Sequence, residues 1–280
     1  MDLTKLERSG IIDTGLDWLT ITTIQGENTR LMLEAVHKYI HERYPTDALP
    51  KAWSAMGYKG QNYGDLKFGR RKENEAMVVL SGQEADYFGM NINIPEDRVK
   101  RVDLQVTVAL DTPDPTLAQR LYHEKQRLSR TQEIKTTHKY VSSGTGDTLY
   151  IGKRSSDVFL RLYDKSGESR IGELGSIWRY EVEYKRGLAK SAYKAVMAGE
   201  TRYARIARMV WDEFERKQVQ PLFDPSVGMV AMETGTKVST PDTKLGWLER
   251  CVAPVVTQLV ALGYEEQVLT SLKLRGIVKG

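Results

Sequence analysis

The sequence predicts an α+β fold: a mainly antiparallel sheet domain with helices packed on one side, followed by a helical C-terminal region. Two observations lead there. Alternation of apolar and polar residues, the mark of a half-buried strand, recurs at 99–110, 157–165 and 177–185. Helical periodicity takes over from Gly187 onward. The expected division is a sheet domain at 1–190 and a helical part at 191–280.

The elements follow in order. Residues 17–23 (Asp-Trp-Leu-Thr-Ile-Thr-Thr) read as a first strand. Residues 27–44 read as a helix with Leu31, Ala35 and Tyr39 along one face. The segment from Pro50 to Asn74, rich in Gly and Lys/Arg, reads as irregular. Strand candidates at 76–81 and 88–94 surround Ser81-Gly82-Gln83. After the 99–110 strand, Asp-Thr-Pro-Asp-Pro at 111–115 starts a polar, basic helix reaching about Arg130. Strands at 148–152, 157–165 and 177–185 complete the sheet. Helices are expected at 187–199, 201–216, 243–262 and 264–272, the third interrupted by Pro254.

Composition bounds the function. A chain of 280 residues with 40% hydrophobic residues can build a real core. No apolar run approaches the ~20 residues of a membrane span, and Met1-Asp-Leu-Thr-Lys has no signal-peptide form. A single cysteine, Cys251, excludes internal disulfides and cysteine-based zinc clusters. The expected location is therefore the cytoplasm, with no membrane partner. A net charge of +4 permits a nucleic-acid partner without requiring one. No internal repeat is visible in the sequence.

The chemistry concentrates on one set of strand positions. In 157–165, Val158, Leu160 and Leu162 point one way; Phe159, Arg161, Tyr163 and Lys165 point the other. In 101–108, Arg101, Asp103, Gln105 and Thr107 oppose a Val/Leu face. In 178–185, Arg179, Glu181, Glu183 and Lys185 oppose Trp178, Tyr180, Val182 and Tyr184. A tyrosine between two cations is a poor way to build a core and a good way to aim a phenol at a phosphate. Three neighbouring carboxylates repel one another, and a hard divalent cation such as Mg²⁺ or Mn²⁺ relieves that repulsion. The plainer alternative is a solvent-exposed face laced with cross-strand ion pairs.

Taken in order, these segments resemble the replication initiation factor family: trans-acting rolling-circle initiators of plasmids, related filamentous-phage proteins, and relaxases of integrative conjugative elements. The motifs are Asp17-Trp-Leu-Thr-Ile, Leu80-Ser-Gly-Gln83, Arg101-Val-Asp-Leu104, Thr148-Leu-Tyr-Ile-Gly-Lys-Arg154 with Arg161-Leu-Tyr-Asp-Lys165, and Trp178-Arg-Tyr-Glu-Val-Glu183. The resemblance implies DNA nicking and joining. Tyr163 would be the nucleophile, flanked by Arg161 and Lys165, and a 5′-phosphotyrosyl intermediate would form. It implies Asp103, Glu181 and Glu183 as ligands of a divalent Mg or Mn. Many relatives carry a second Asp where this chain has Thr107; Asp111, further on, would need a bulge to reach the site.

Origin DNA, single-stranded or extruded, is the expected partner, with a host helicase and polymerase downstream. A homodimer would suit the second nick that ends replication. Candidate DNA contacts are Lys153, Arg154 and Arg179, Arg120 and Arg127 on the basic helix, and the cations of 67–72. Two alternatives remain: a DNA-binding regulator without turnover, and a metal-dependent nuclease that uses water. His37 and His41 are spaced for zinc but lack the glutamate of a zinc protease. No pair of histidines flanks a single residue, and no phosphate-cradling Walker loop is present.

Overall fold

A computed structural model describes residues 10–24, 50–71, 75–91, 98–110, 112–131, 137–143, 146–167, 176–198 and 201–225 as continuous stretches. It also describes Ile94 and scattered positions within 30–42 and 256–267. The predicted helices at 243–262 and 264–272, Asp111, His37, His41 and Cys251 lie wholly or largely outside the described residues. The chain divides into two compact units, Met1–Thr234 and Gly235–Gly280. In the second, helical positions are described at 256–257, 260–261 and 265–267.

The first unit is built on a ten-stranded antiparallel sheet. Its strands are β1 (Ile11–Ile24), β2 (Lys51–Ala55), β3 (Tyr58–Asn62), β4 (Leu66–Arg70), β5 (Glu75–Ser81), β6 (Val99–Leu110), β7 (His138–Ser143), β8 (Gly146–Ile151), β9 (Val158–Asp164) and β10 (Ser176–Lys185). Their spatial order is β2-β3-β4-β5-β1-β6-β10-β9-β8-β7. The helices are α1 (Gly82–Asn91), α2 (Leu117–Arg130), α3 (Arg186–Met197) and α4 (Arg202–Arg216).

Two halves follow one plan. Each starts with a long central strand (β1 or β6) and continues through helical residues, described at 30, 34–36, 38–40 and 42 after β1 and forming α2 after β6. A four-strand meander follows, and its last strand returns beside the first. The halves meet where β1 pairs antiparallel with β6. The repeat is invisible in the sequence because only topology is shared.

One sheet face carries the core. Leu19, Ile21, Val78, Leu80, Val102, Leu104, Val106, Leu160, Leu162, Tyr180 and Val182 are buried there with Ala85 and Phe88 of α1, Leu117 and Leu121 of α2, Ala192 and Val196 of α3, and Ile206, Val210 and Phe214 of α4. The helices thus pack on one side, as the sequence predicted. This compact unit runs to Thr234.

Several local readings are corrected. The described residues within 50–74 are not irregular: they form β2, β3 and β4, short strands whose apolar residues, apart from Leu66 and Phe68 of β4 in the main core, face away from it. Met56 and Gly57, both at positive φ (51° and 81°), make the tight turn between β2 and β3 that matches strand twist. The strand expected at 88–94 is a helix over most of its length. Gly82, at φ 52°, turns the chain out of β5, and α1 then lies so close to β1 that a Cβ at Gly89 would sit 2.5 Å from Leu16 Cδ1. Tertiary packing overrides the alternation of Phe-Gly-Met-Asn-Ile. Strand β7 was missed, and β1 begins six residues earlier than read, at Ile11.

Lys125 of α2 is buried, 2% exposed, and its ammonium donates to the Lys217 carbonyl beyond the end of α4. Burial pushes its pKa down to about 8. The folded state therefore releases this proton before the unfolded chain does, near 10.5. Stability from this residue is absent below about 8 and grows as pH rises toward 10.5. Against Lys125→Met, thermal melts should show wild type gaining by up to about 1.4 kcal/mol per pH unit across that window. A pH-independent difference would mean that Lys125 is not perturbed.

Candidate active site on the open face of the sheet

The face opposite the helices collects the residues that the sequence singled out. Register fixes their neighbours. Glu183 lies opposite Asp103 across β10 and β6, Glu181 opposite Gln105, and Arg179 opposite Thr107. Across β10 and β9, Arg161 lies opposite Glu181 and Tyr163 opposite Arg179. Directly opposed residues share a face, so Tyr163, Arg161, Arg179, Asp103, Glu181 and Glu183 form one contiguous constellation.

The face is not the solvent-exposed ladder of the plainer reading. Asp103, Glu181 and Glu183 are each at most 1% exposed. Buried carboxylates need partners, and guanidinium groups supply them. Arg101 forms a fork with Asp103, Nε to Oδ1 at 2.8 Å and Nη2 to Oδ2 at 2.5 Å. The same Nη2 stands 3.0 Å from Glu183 Oε2. Arg161 Nη2 bridges Asp103 Oδ2, at 3.0 Å, and Glu181 Oε1. Lys185 Nζ pairs with Glu183 Oε1 at 2.5 Å. Three carboxylates thus meet three cations.

Burial dominates the titration here. It drives the Glu181 carboxyl well above the ordinary range; Arg161 opposes, while Asp17 and Asp103 add to the rise. Asp103 is also raised by burial, against its hydrogen bonds from Arg101.

The phenol of Tyr163 is raised as well, first by burial and then by the Glu181 charge. Arg179 works against the rise, Asp17 with it, and Arg161 against it. Tyr163 is therefore a neutral phenol at physiological pH, standing among groups of both signs.

Arg179 is anchored more firmly than its sequence position suggested. Its Nε donates to Thr107 Oγ1 at 2.9 Å, Nη1 pairs with Asp17 Oδ1 at 3.0 Å, and Nη2 reaches Asp13 Oδ2 at 3.3 Å. Gln105 ties the group together, donating to Asp13 Oδ2 at 2.8 Å and accepting from Thr107 at 2.9 Å. Thr107, where a carboxylate was expected, is thus a buried anchor for Arg179.

Asp13 and Asp17 were not chosen as site residues. Asp17 reaches this face through a register shift between Leu16 and Trp18, where β1 carries one residue more than β6. The shift is held from behind, where Leu16 N–H donates to Asp86 Oδ1 at 2.9 Å and Tyr203 donates to Asp86 Oδ2 at 2.9 Å. Strict alternation cannot anticipate such a bulge. The Asp17-Trp-Leu-Thr-Ile motif was the available signal.

The remaining candidates fall in three places. Lys165 continues the Tyr163 side of β9, and its backbone N–H bonds Ile177 O at 2.8 Å. Lys153 and Arg154 sit in the turn between β8 and β9, with the Arg154 guanidinium 5.6 Å from the Phe159 ring. Arg120 and Arg127 belong to α2, which packs on the opposite, core-bearing face, where Arg120 pairs with Asp114 at 2.7 Å. The structure does not bring these two together with Tyr163. His138 lies on β7, beside Tyr122.

The oxygen donors suit a hard divalent ion, and Glu183 Oε2, fully buried, accepts no hydrogen bond. Among the described residues, however, no three His, Cys, Asp or Glu side chains are arranged to hold a metal. Guanidinium groups bridge the carboxylates instead. A metal here would bind Asp103, Glu181 and Glu183 only as Arg161 or Arg101 let go.

The family model described as replication initiation factor matches residues 98–272, more than half of the chain. The chain belongs to the replication initiation factor family. The match takes in β6 through β10, and so Asp103, Tyr163, Glu181 and Glu183. No curated protein matches the chain. Among solved structures, the rolling circle replication initiator protein from Geobacillus stearothermophilus is similar, with a TM-score of 0.45 and 17% identity over 72% of this chain and 84% of that one. No helix among the described residues is long and apolar enough to cross a membrane.

The bridging network makes Arg101 structurally costly to remove. Arg101→Met leaves Asp103 and Glu183 facing each other in a buried place, and should lower unfolding free energy by about 3 kcal/mol in urea titration. Adding Asp103→Leu should restore part of that loss, because the uncompensated charge goes with it. Equal stability of Arg101→Met and wild type would show that the fork contributes nothing.

Proposed function

We propose that this replication initiation factor nicks and rejoins origin DNA, with Tyr163 as nucleophile and a divalent metal as cofactor, to start rolling-circle replication or strand transfer. The observation that carries the proposal is the convergence of Tyr163 with three buried carboxylates and the Arg161 and Arg179 guanidinium groups on one sheet face.

In this reading, Tyr163 Oη forms a bond to phosphorus and loses its proton. The bond from phosphorus to the 3′ oxygen breaks, and that oxygen leaves as a free 3′-hydroxyl. The strand stays attached to the enzyme through a 5′-phosphotyrosyl ester. One phosphate ester replaces another, so the step is close to isoenergetic and rejoining is its reverse.

The raised phenol pKa must be offset. Arg179, opposite Tyr163 and anchored by Thr107 and Asp17, and Arg161 place positive charge where phenolate and phosphoryl oxygens develop. Lys165 extends that charge along β9. A Mg²⁺ or Mn²⁺ held by Asp103, Glu181 and Glu183 would neutralise phosphoryl charge and orient the phosphate for in-line displacement. Arg161, released from Glu181, would then be free to meet the phosphate.

The test is capture of a covalent adduct. Wild type with a labelled single-stranded origin oligonucleotide and Mn²⁺ should give a shifted band on a denaturing gel that EDTA abolishes. Tyr163→Phe should give none. Glu181→Gln should lower adduct formation at least 100-fold while DNA binding stays within a few-fold. Adduct formed by Tyr163→Phe would remove Tyr163 from its role. Cleavage without adduct would indicate a water nucleophile, and binding without cleavage a regulator.

A further inference from the structure

We infer that the open face of β2–β5 is a stacking platform for single-stranded DNA, continuous with the Tyr163 site on the same sheet face; this rests on the nicking function proposed above. The half of the molecule that repeats the plan of the nicking half carries neither its tyrosine nor its carboxylates. At the equivalent strands it has aromatic rings and lysines, with Asp65 and Glu75 at its margin held by Ser81 and Arg71.

Register places these residues together. Trp53, Gly60, Gly69 and Met77 lie opposite one another across four strands. So do Lys51, Asn62, Lys67 and Val79. Trp53, Trp18 and Tyr58 form, with Met77 and Val79, an apolar cluster separate from the main core. The glycine at 69 matters: a Cβ there would sit 2.8 Å from Trp53 Cζ3, so the indole lies down over bare backbone. Trp53 and Trp18 both stay half-buried, leaving part of each ring open to solvent.

Cations accompany the rings. Lys67 Nζ lies 5.6 Å from the Trp18 ring, and the Arg71 guanidinium lies 4.9 Å from the Tyr58 ring. On this face of β2–β5 and the residues continuing them, Asp65 is bonded to Ser81 at 2.8 Å and Glu75 is paired with Arg71 at 2.6 Å, while Lys51 and Lys67 add positive charge beside the rings. Flat rings spaced among positive charges fit a chain of bases on a phosphate backbone. A protein partner would not need the cations, and a duplex would hide its base faces from the rings.

The geometry joins this surface to the nucleophile. From β9, which carries Tyr163, to β4, which carries Lys67, there are five strand spacings, about 24 Å at ~4.8 Å each, and along the strands the two lie at the levels of Asp13 and Thr20, roughly 23 Å further at ~3.3 Å per residue. Trp18 sits midway and also receives the Arg101 guanidinium, 4.6 Å from its ring. A single strand engaged at Tyr163 can therefore run across β10, β6 and β1 onto Trp18 and Trp53.

The experiment measures binding of fluorescein-labelled dT20 to the full chain by anisotropy at several salt concentrations, with circular dichroism melts alongside. Trp53→Ala should weaken binding about tenfold, and Trp53→Phe should keep most of the affinity. Lys51→Gln with Lys67→Gln should flatten the slope of log affinity against log salt by about 0.7 per lysine. Unchanged affinity in folded Trp53→Ala would overturn the platform. If Trp53→Ala does not fold, an unchanged salt slope in the lysine pair overturns it instead. Tighter binding of a 20-base-pair duplex than of dT20 would also overturn it. The adduct assay separates the two proposals. Wild type that forms adduct while Trp53→Ala binds dT20 normally defeats the platform alone, and dT20 binding that depends on Trp53 without any adduct defeats the nicking reading alone.

Discussion

The open face of this sheet depends on the neutralisation of three buried carboxylates by guanidinium bridges. Asp103 comes from β6, Glu181 and Glu183 from β10, Arg161 from β9 and Arg101 from β6. No strand can shift by one residue without exchanging its polar face for its apolar one. Such a slip would drive Val182 or Leu104 onto the open face and bury Glu181 or Asp103 against α3 and α4. The core on the helix side and the charge cluster on the other side therefore enforce the same register. That agreement lets so much charge be buried beside a sheet without scrambling it.

The bridges also explain how the carboxylates stay together. Arg161 and Arg101 each contact two carboxylates through one nitrogen, so like charges are held within a few ångströms of each other. Such a cluster gains little net stability, since desolvation of each ion offsets most of the attraction. Its value lies in arrangement: the carboxylates are pre-placed and their counter-charges sit on long side chains. A guanidinium on a long side chain costs less to move than a backbone.

Much of this was legible in the sequence, and the reason is strand parity. In β6, β9 and β10 alternation is nearly perfect, so Asp103, Arg161, Tyr163, Glu181 and Glu183 could be assigned to one face from spacing alone. The family resemblance rested on the same strands. Reading failed where one face was not apolar or where the count was broken. Strands β2–β4 looked irregular because Trp53, Ala55 and Tyr58 face the open side and only Leu66 and Phe68 of β4 reach the main core. Asp17 was passed over because the bulge after Leu16 breaks alternation. Charge on a helix likewise gives no hint of which sheet face the helix covers, so the placing of Arg120 and Arg127 away from Tyr163 could not be read from spacing.

Thr107 is the residue whose meaning changed most between sequence and structure. As a missing ligand it suggested an incomplete metal site. In the structure it occupies the position directly opposite Arg179, and its hydroxyl takes the guanidinium Nε–H. A carboxylate there would have added a fourth buried negative charge close to Tyr163. That charge would have pushed the phenol further from ionisation, in the same direction as Glu181 and Asp17 already do. A hydroxyl anchors Arg179 without that cost. A threonine there therefore leaves more of the arginine's positive charge acting on the phenol.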